Sequence, residues 1–499
     1  MSRFLQFSSA VSRAALRWTR RLVLLALAAC AAVALGFTLY AVSALPKLQP
    51  WHAERLHEEF SALKHSGLDF DGYLQREAKL FDELARAVAR WDASDEAFTQ
   101  SRFNPRGTLN ALADGAPYNR SFRLTPQEPR GSALLMHGLT DSPYSMKALA
   151  EALHARGFEV TVLRLPGHGT LPSMMVEMSF RDWEAAVRIA ARDVAARTPP
   201  GRPFYIGGYS TGGTLALLYA LESTADPALR RPDRVLLVSP AIELTPVAAL
   251  ASIIDITSVV PVPVLEKVRW QEIIAEFDPY KFNSFPVNAS RQVNRATRSL
   301  QREIEEAAHE GRLERLPPVV AWQSIVDSTV GSVGTVDTLF GRLSGRQHRL
   351  VLFDVNRSTV FRSVQRPAAR ELIERAVQSR PGYRLEVVTN SDPQTEAVTV
   401  HRIDDGVRSE QATSLRWPAD LVSLGHVALP FPPDDPVYGF QRGSGRAGIP
   451  SLGSWLLRGE SGAITISLGS LTRLRSNPFW LLVDDQIGEL VETDLAQQR

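Results

Sequence analysis

Between residues 132 and 239, short apolar runs alternate with amphipathic stretches, and this alternation restricts the chain more than any other feature. Ser132–Met136, Phe158–Leu165, Pro203–Gly207 and Arg234–Ser239 have the length and aliphatic content of strands. Ser145–Arg156, ending at Gly157, then Phe180–Ala196 and Gly213–Leu221 carry small or apolar residues as helices do. Strands joined through helices pair in parallel, and the crossover helices then cover both faces of the sheet. The predicted class is α/β, a mostly parallel sheet with helices on both faces. Function is expected at the carboxyl ends of its strands.

Gly208-Tyr209-Ser210-Thr211-Gly212 fits G-x-S-x-G and sits between a strand and a helix, the context this common pentapeptide needs in order to carry meaning. Such a turn forces a strained backbone at the serine, so glycine is required at 208 and 212, where a side chain would clash, and the hydroxyl is lifted onto an exposed elbow. Ser210 is the candidate nucleophile. A tetrahedral oxyanion needs two preorganised donors. The helix that starts after Ser210 supplies the Thr211 backbone N–H at its positive end. The second donor is expected from the His137-Gly138-Leu139 loop and is assigned to the Leu139 backbone N–H. The His137 ring is read as structural.

In this arrangement the nucleophile is followed by an acid and then a histidine. Pro318–Val326 reads as a strand that ends at Asp327, the position where an acid would emerge at the catalytic edge. Asp354 closes Leu350–Phe353 in a similar way, and Asp337 is a further candidate; any of them also suits a turn or helix cap. Of the histidines that follow, His348 begins a strand, His401 interrupts one, and His426 lies on a loop after Leu424-Gly425. His426 is the expected base for Ser210, with Asp327 holding its tautomer.

The segments HGLTDSP at 137–143, RLPGHG at 164–169, GGYSTGG at 207–213 and DSTV at 327–330 resemble those of monoacylglycerol lipases, carboxylesterases and the related serine aminopeptidases. The resemblance covers about residues 116–330 and resumes near His426. It implies the α/β-hydrolase fold and ester hydrolysis through an acyl-enzyme, on a small-molecule or lipid ester, without metal or cofactor. A peptidase, amidase or thioesterase using the same triad is the close alternative, because fold and triad do not select the leaving group. A catalytically silent envelope scaffold that binds lipid or a partner is the alternative of another class.

The chain departs from that pattern in several places. About a hundred residues separate Asp327 from His426, where a strand–helix unit of about thirty would suffice. An insertion over about 340–415 is therefore expected, with strands at Leu350–Phe353, Tyr383–Thr389 and Ala397–Ile403 and a helix at Ala368–Val377, either extending the sheet or forming a small subdomain. Residues 242–316, with a charged helix over Arg298–Leu316, occupy the position of a lid. The catalytic domain is expected over 116–435 and a C-terminal extension over 436–499. In that extension Arg473, Arg475, Asn477 and Trp480 either dock on the body or form a solvated face with one buried aromatic.

Five arginines and no acid occupy residues 1–21, and Leu22–Leu45 runs without a charge, long enough to cross a bilayer. With Trp18 on one side and Tyr40 and Trp51 on the other as interfacial aromatics, this reads as a single-pass anchor. The basic end would be cytoplasmic and the catalytic part on the far side, after a helical neck over 46–115. Leu27-Ala28-Ala29-Cys30 as a lipoprotein site and Arg20-Arg21 as a twin-arginine signal are the cleaved alternatives. Cys30 is the only cysteine, so no internal disulfide and no thiolate zinc site can form. A net charge of +2 with no basic–aromatic tract excludes a nucleic-acid partner.

Overall fold

The computed structural model describes residues 18–29, 32, 36, 46–110, 118–243, 263–327, 329–359, 368–378, 382–441, 445–446, 449–450, 452–454 and 474–497. Its centre is a ten-stranded sheet. In chain order the strands are β1 (Phe122–Leu124), β2 (Gly131–Met136), β3 (Phe158–Leu163), β4 (Phe204–Tyr209), β5 (Arg234–Val238), β6 (Val319–Ser324), β7 (Arg349–Phe353), β8 (Arg384–Asn390), β9 (Ala397–Asp404) and β10 (Val407–Arg416). Their order across the sheet is β1-β3-β2-β4-β5-β6-β7-β8-β9-β10. From β3 to β8 every pairing is parallel. β1 and the β9–β10 hairpin close the two edges with antiparallel pairings.

The helices are α1 (Phe70–Val88), α2 (Lys147–His154), α3 (Phe180–Arg197), α4 (Thr211–Glu222), α5 (Val287–His309), α6 (Ala368–Gln378) and α7 (Trp480–Gln497). The central parallel strands are buried on both faces, and alternate residues feed two cores. Leu134, Met136, Ile206 and Leu237 pack with α3, α4 and α5 on one side. Ala133, Leu135, Tyr205 and Leu236 pack with α2 and α7 on the other. Both catalytic-edge turns of interest, after β4 and after β6, thus leave a sheet clamped between two apolar layers.

Strands β7 to β9 and α6 coincide with the expected elements of the insertion, and they continue the main sheet. The charged helix expected over 298–316 begins earlier, at Val287, and ends at His309. Ala289, Val293, Ala296, Leu300, Ile304 and Ala307 form its buried stripe; small residues among Asn, Gln and Arg disguise its first half. Part of the expected lid, residues 244–262, lies outside the described residues. In the C-terminal region Asn477 is buried and Trp480 opens α7, whose apolar face covers the second core, so this helix docks on the body. Arg473 lies outside the described residues.

The membrane reading is overturned: among the described residues no helix is long and apolar enough to cross a membrane. The continuous described helix at residues 18–29 would span about 18 Å at 1.5 Å per residue, against a hydrocarbon core of roughly 30 Å. Ala32 and Gly36 are also helical, and the rest of the expected anchor over 22–45, Cys30 included, lies outside the described residues, as does most of the basic segment 1–21. Trp51, taken as an interfacial aromatic, is 1% exposed and packs between Trp91 and Phe103. The expected single-pass location, with the catalytic part across a membrane, falls with these findings.

The N-terminal segment is bound to the sheet by a buried charge cluster. Arg164, at the end of β3, pairs with Glu77 of α1 at 2.9 Å and with Glu59 at 2.9 Å, and its side chain is 1% exposed. It also donates to the His168 carbonyl, while Tyr73 of α1 donates to the Arg164 carbonyl at 2.6 Å. Burial opposes the guanidinium charge, but Glu59, Tyr73 and Glu77 outweigh it and keep Arg164 protonated. Removing one member leaves the others buried and unpaired, at a cost of about 3–5 kcal/mol. Arg164→Ala is expected to lower the thermal midpoint strongly, whereas the exposed pair Arg416–Glu396 should be replaceable with a change under about 1 kcal/mol. Equal effects in the two melting curves would refute the brace.

Candidate functional site

Ser210 stands between β4 and α4 with φ 54° and ψ −120°. A non-glycine residue at positive φ costs about 1–3 kcal/mol and persists only where its surroundings dictate it. They do so here by close approach. A Cβ on Gly212 would lie 2.1 Å from the Met136 carbonyl oxygen, and one on Gly208 would lie 2.3 Å from the Gly212 carbonyl carbon. The end of β2 and the start of α4 are thereby pressed together. Thr211 is the first residue of α4, so its N–H is at the helix's positive end.

Leu139 lies on the loop that leaves β2, one residue before Thr140, which has φ 66°. This loop is anchored by His137. The Leu165 N–H donates to His137 Nε2 at 3.0 Å, which leaves the proton on Nδ1 to donate to the Gly138 carbonyl at 2.8 Å. Burial, then the neighbouring His168, hold its imidazole well below the ordinary pKa. With both nitrogens committed to backbone, His137 shapes the loop that presents Leu139.

The structure brings Asp327 and His426 together across the insertion. His426 Nδ1–H donates to Asp327 Oδ2 at 2.7 Å, and both side chains are buried. The other carboxylate oxygen accepts from the Thr329 and Val330 amides at 2.8 and 3.0 Å, and Gln323 on β6 donates to Oδ2 at 3.2 Å. Burial pushes this carboxyl up, but the charge and hydrogen bond of His426 with the two amides prevail and hold it below its usual range. The His426 ring lies tilted against Tyr209, the residue before the nucleophile candidate, with ring centroids 5.0 Å apart. Imidazole and elbow are therefore neighbours at the same edge of the sheet.

The other candidates have different partners. Asp354 is held by Arg357 at 2.6 Å and accepts from Thr389 at 2.8 Å. Asp337 faces Arg375 at 3.7 Å. His348 is buried and accepts from the Val319 N–H at 3.1 Å, with burial pushing its pKa down to about 4. His401 sits opposite Glu410 on the hairpin.

Beside the triad candidates lies a cavity of about 170 Å³ to which Asp141, Asp278, Lys281, Phe282 and Val427 contribute. Asp141 is two residues beyond Leu139, and Val427 follows His426. Lys281 pairs with Asp141 at 3.3 Å. Burial pushes the Asp141 carboxyl above its usual range, with Lys281 opposing. Tyr438 donates to Asp278 at 2.6 Å. Asp141 stood in the HGLTDSP segment without a role, and nothing in the local sequence connects it with 278–281, because only the fold brings these segments together. Among the described residues no group of three or more His, Cys, Asp and Glu could hold a metal ion.

Residues 127–309 match the family described as serine aminopeptidase, S33. A thermostable monoacylglycerol lipase from Bacillus sp. (strain H-257) is 40% identical over 87 residues, which are 17% of this chain and 34% of that protein. The chain thus spans about a third of the length of that curated relative. Among solved structures, a monoacylglycerol lipase from Paleococcus ferrophilus is 20% identical with a TM-score of 0.35, over 52% of this chain and 99% of the other. A soluble variant of the Saccharomyces cerevisiae monoglyceride lipase is 16% identical with a TM-score of 0.34, over 46% and 80% of the two chains. The crossover sheet, the strained serine turn and the match over 127–309 together support an α/β-hydrolase of the serine hydrolase type.

Proposed function

We propose that this protein hydrolyses carboxylic esters, of short-acyl or monoacyl lipid type, through an acyl-enzyme on Ser210. The observation that carries the reading is the buried 2.7 Å bond from His426 to Asp327 beside the Ser210 turn. In the proposed cycle His426 takes the hydroxyl proton through Nε2 as Ser210 attacks the ester carbonyl. Asp327 keeps the proton on Nδ1 and stabilises the imidazolium that forms. The Leu139 and Thr211 amides receive the oxyanion. The proton then passes to the departing alcohol, and water enters by the same route in reverse to release the acid. No step requires a metal or an organic cofactor.

The small cavity next to His426 supports room for the alcohol part of the substrate, and Phe277 and Phe282, from the segment read as a lid, contribute to its wall. The ester reading draws further support from the monoacylglycerol lipase relative. Cleavage of an amide is the second reading, favoured by the description of the matching family as an aminopeptidase. A substrate panel separates them. Monoacylglycerols and p-nitrophenyl esters should be turned over, and aminoacyl anilides should not.

A fluorophosphonate probe is expected to label the wild-type chain and to leave Ser210→Ala unlabelled; a wild type that neither labels nor cleaves any ester would falsify the enzyme reading. Asp327→Asn should lower kcat by about 10⁴-fold, because the amide selects the wrong imidazole tautomer. Should Asp354→Asn cause that loss instead, the acid is misassigned.

Acid stability follows from the same carboxylate. Its folded pKa is depressed, so its contribution is complete above the unfolded value of about 4 and is lost as pH falls through the lower folded value. The fall in melting temperature between neutral and strongly acidic pH should therefore be smaller in Asp327→Asn than in wild type. An identical fall in both would show that the carboxylate is not held this way.

A further inference from the structure

A second cavity, of about 670 Å³, lies away from the triad candidates, against α1 and the turn that follows β3. Its volume falls within the range of roughly 300–1,000 Å³ common for sites that take small molecules. One wall is apolar: Leu84, Val88, Trp91, Phe98 and Phe103 line it. Leu84, Val88 and Trp91 are only half-buried among the described residues although they pack on the N-terminal aromatic cluster, so these residues leave apolar surface uncovered around the hollow. The other wall is basic. Arg102, Arg106 and Arg120 line it, against Asp82 as the one acid among the described lining residues.

The polar atoms around this cavity are under-used. Trp91 Nε1, Arg120 Nε, Thr170 Oγ1 and Asn119 Oδ1 are buried without a hydrogen-bond partner among the described residues. Three of the four can donate. Leaving a buried donor unmet is costly, and an anionic oxygen at this wall would satisfy such donors and offset the guanidinium excess. Arg120 lies over the Phe81 ring at 4.3 Å, which keeps its charge at the mouth rather than in solvent. Arg102 is buried, feels the charges of Glu276 and Asp278, and donates to the Lys281 carbonyl at 3.2 Å. Lys281 lines the cavity beside His426, so this hydrogen bond runs from the lining of one hollow to the lining of the other.

We propose that this cavity is a binding site for a single-chain anionic amphiphile, a long-chain carboxylate, with its chain on the Leu84–Phe103 wall and its head at Arg120 and Thr170. The site is separate from the ester-cleaving reading and does not depend on it. The test uses the full chain carrying Ser210→Ala and follows binding of dodecanoate by calorimetry, below its micelle concentration. Saturable binding is expected, with dodecan-1-ol and acetate each at least about tenfold weaker, since one has no charge and the other no chain. Arg120→Ala should weaken dodecanoate about tenfold or more, and Leu84→Trp, which fills the hollow, should remove binding. Thermal melts establish that both variants fold. If dodecanoate fails to bind, binds both variants as it binds the parent, or binds no tighter than dodecan-1-ol, the proposal is overturned.

Discussion

Everything at the catalytic edge depends on how closely α4 approaches the end of β2. With the Gly212 Cα placed so that an added Cβ would sit 2.1 Å from the Met136 oxygen, the backbone has no slack there. Ser210 must accept φ 54° because both of its flanks are already fixed, by the β4 pairings on one side and by the first turn of α4 on the other. The cost of that conformation is met by a buried parallel sheet in which β2, β4 and β5 are covered on both faces. The same approach sets the end of β2, from which the loop carrying Leu139 leaves, against the first turn of α4.

Histidine and acid reach this edge by a different kind of constraint. They are 99 positions apart, and the intervening chain completes β7 to β10 before it returns. What defines the Asp327 side chain is local: the strand β6 ends, the chain turns, and the Thr329 and Val330 amides close on one carboxylate oxygen. The second oxygen is left for His426 and for Gln323 from the strand itself. Ser324 adds a further tie by donating to the Leu424 carbonyl at 2.8 Å, two residues before the histidine. Sheet extension and pairing are therefore compatible because the return segment is tied both to β6 and to the chain just after β7, where the Asn356 N–H donates to the Val422 carbonyl at 2.8 Å.

The central parallel strands β2, β4 and β5 were legible in the sequence since each is a mainly apolar run of five or six residues bounded by turn formers. β10 was not. Val407–Arg416 is almost wholly exposed and polar, with RSEQATS in its middle; a lone edge strand paired through its backbone to β9 needs no apolar periodicity. The choice between Asp327 and Asp354 was open for a related reason. Both follow apolar strands, and they differ in what the fold brings opposite: His426 to one, Arg357 and Thr389 to the other. Trp51 misled in the opposite sense, because an aromatic just beyond an apolar run suits a membrane interface as well as a core, and its actual neighbours, Trp91 and Phe103, lie about fifty residues downstream.

Charged residues buried under α7 explain why β7 to β9 join the main sheet rather than fold apart. Glu386 on β8 is fully buried and is shared by Arg349 of β7 at 2.8 Å, Arg402 of β9 at 3.0 Å and Gln486 of α7 at 2.8 Å. Gln486 in turn accepts from Trp322 of β6 at 2.7 Å, and Arg349 reaches Glu489 one turn further along α7. Strands β6 to β9 and the C-terminal helix are thereby linked around one carboxylate. A buried charge of this sort contributes little net stability, but it tolerates only a register in which every partner arrives. An apolar patch in its place would accept a slipped pairing; Glu386 does not, and a one-residue slip would turn its carboxylate to the opposite face. The helix that closes the second core over β2 to β6 is the same helix that sets the register of β7 to β9, so these strands are held in line with the sheet whose central strand β4 leads into the serine turn.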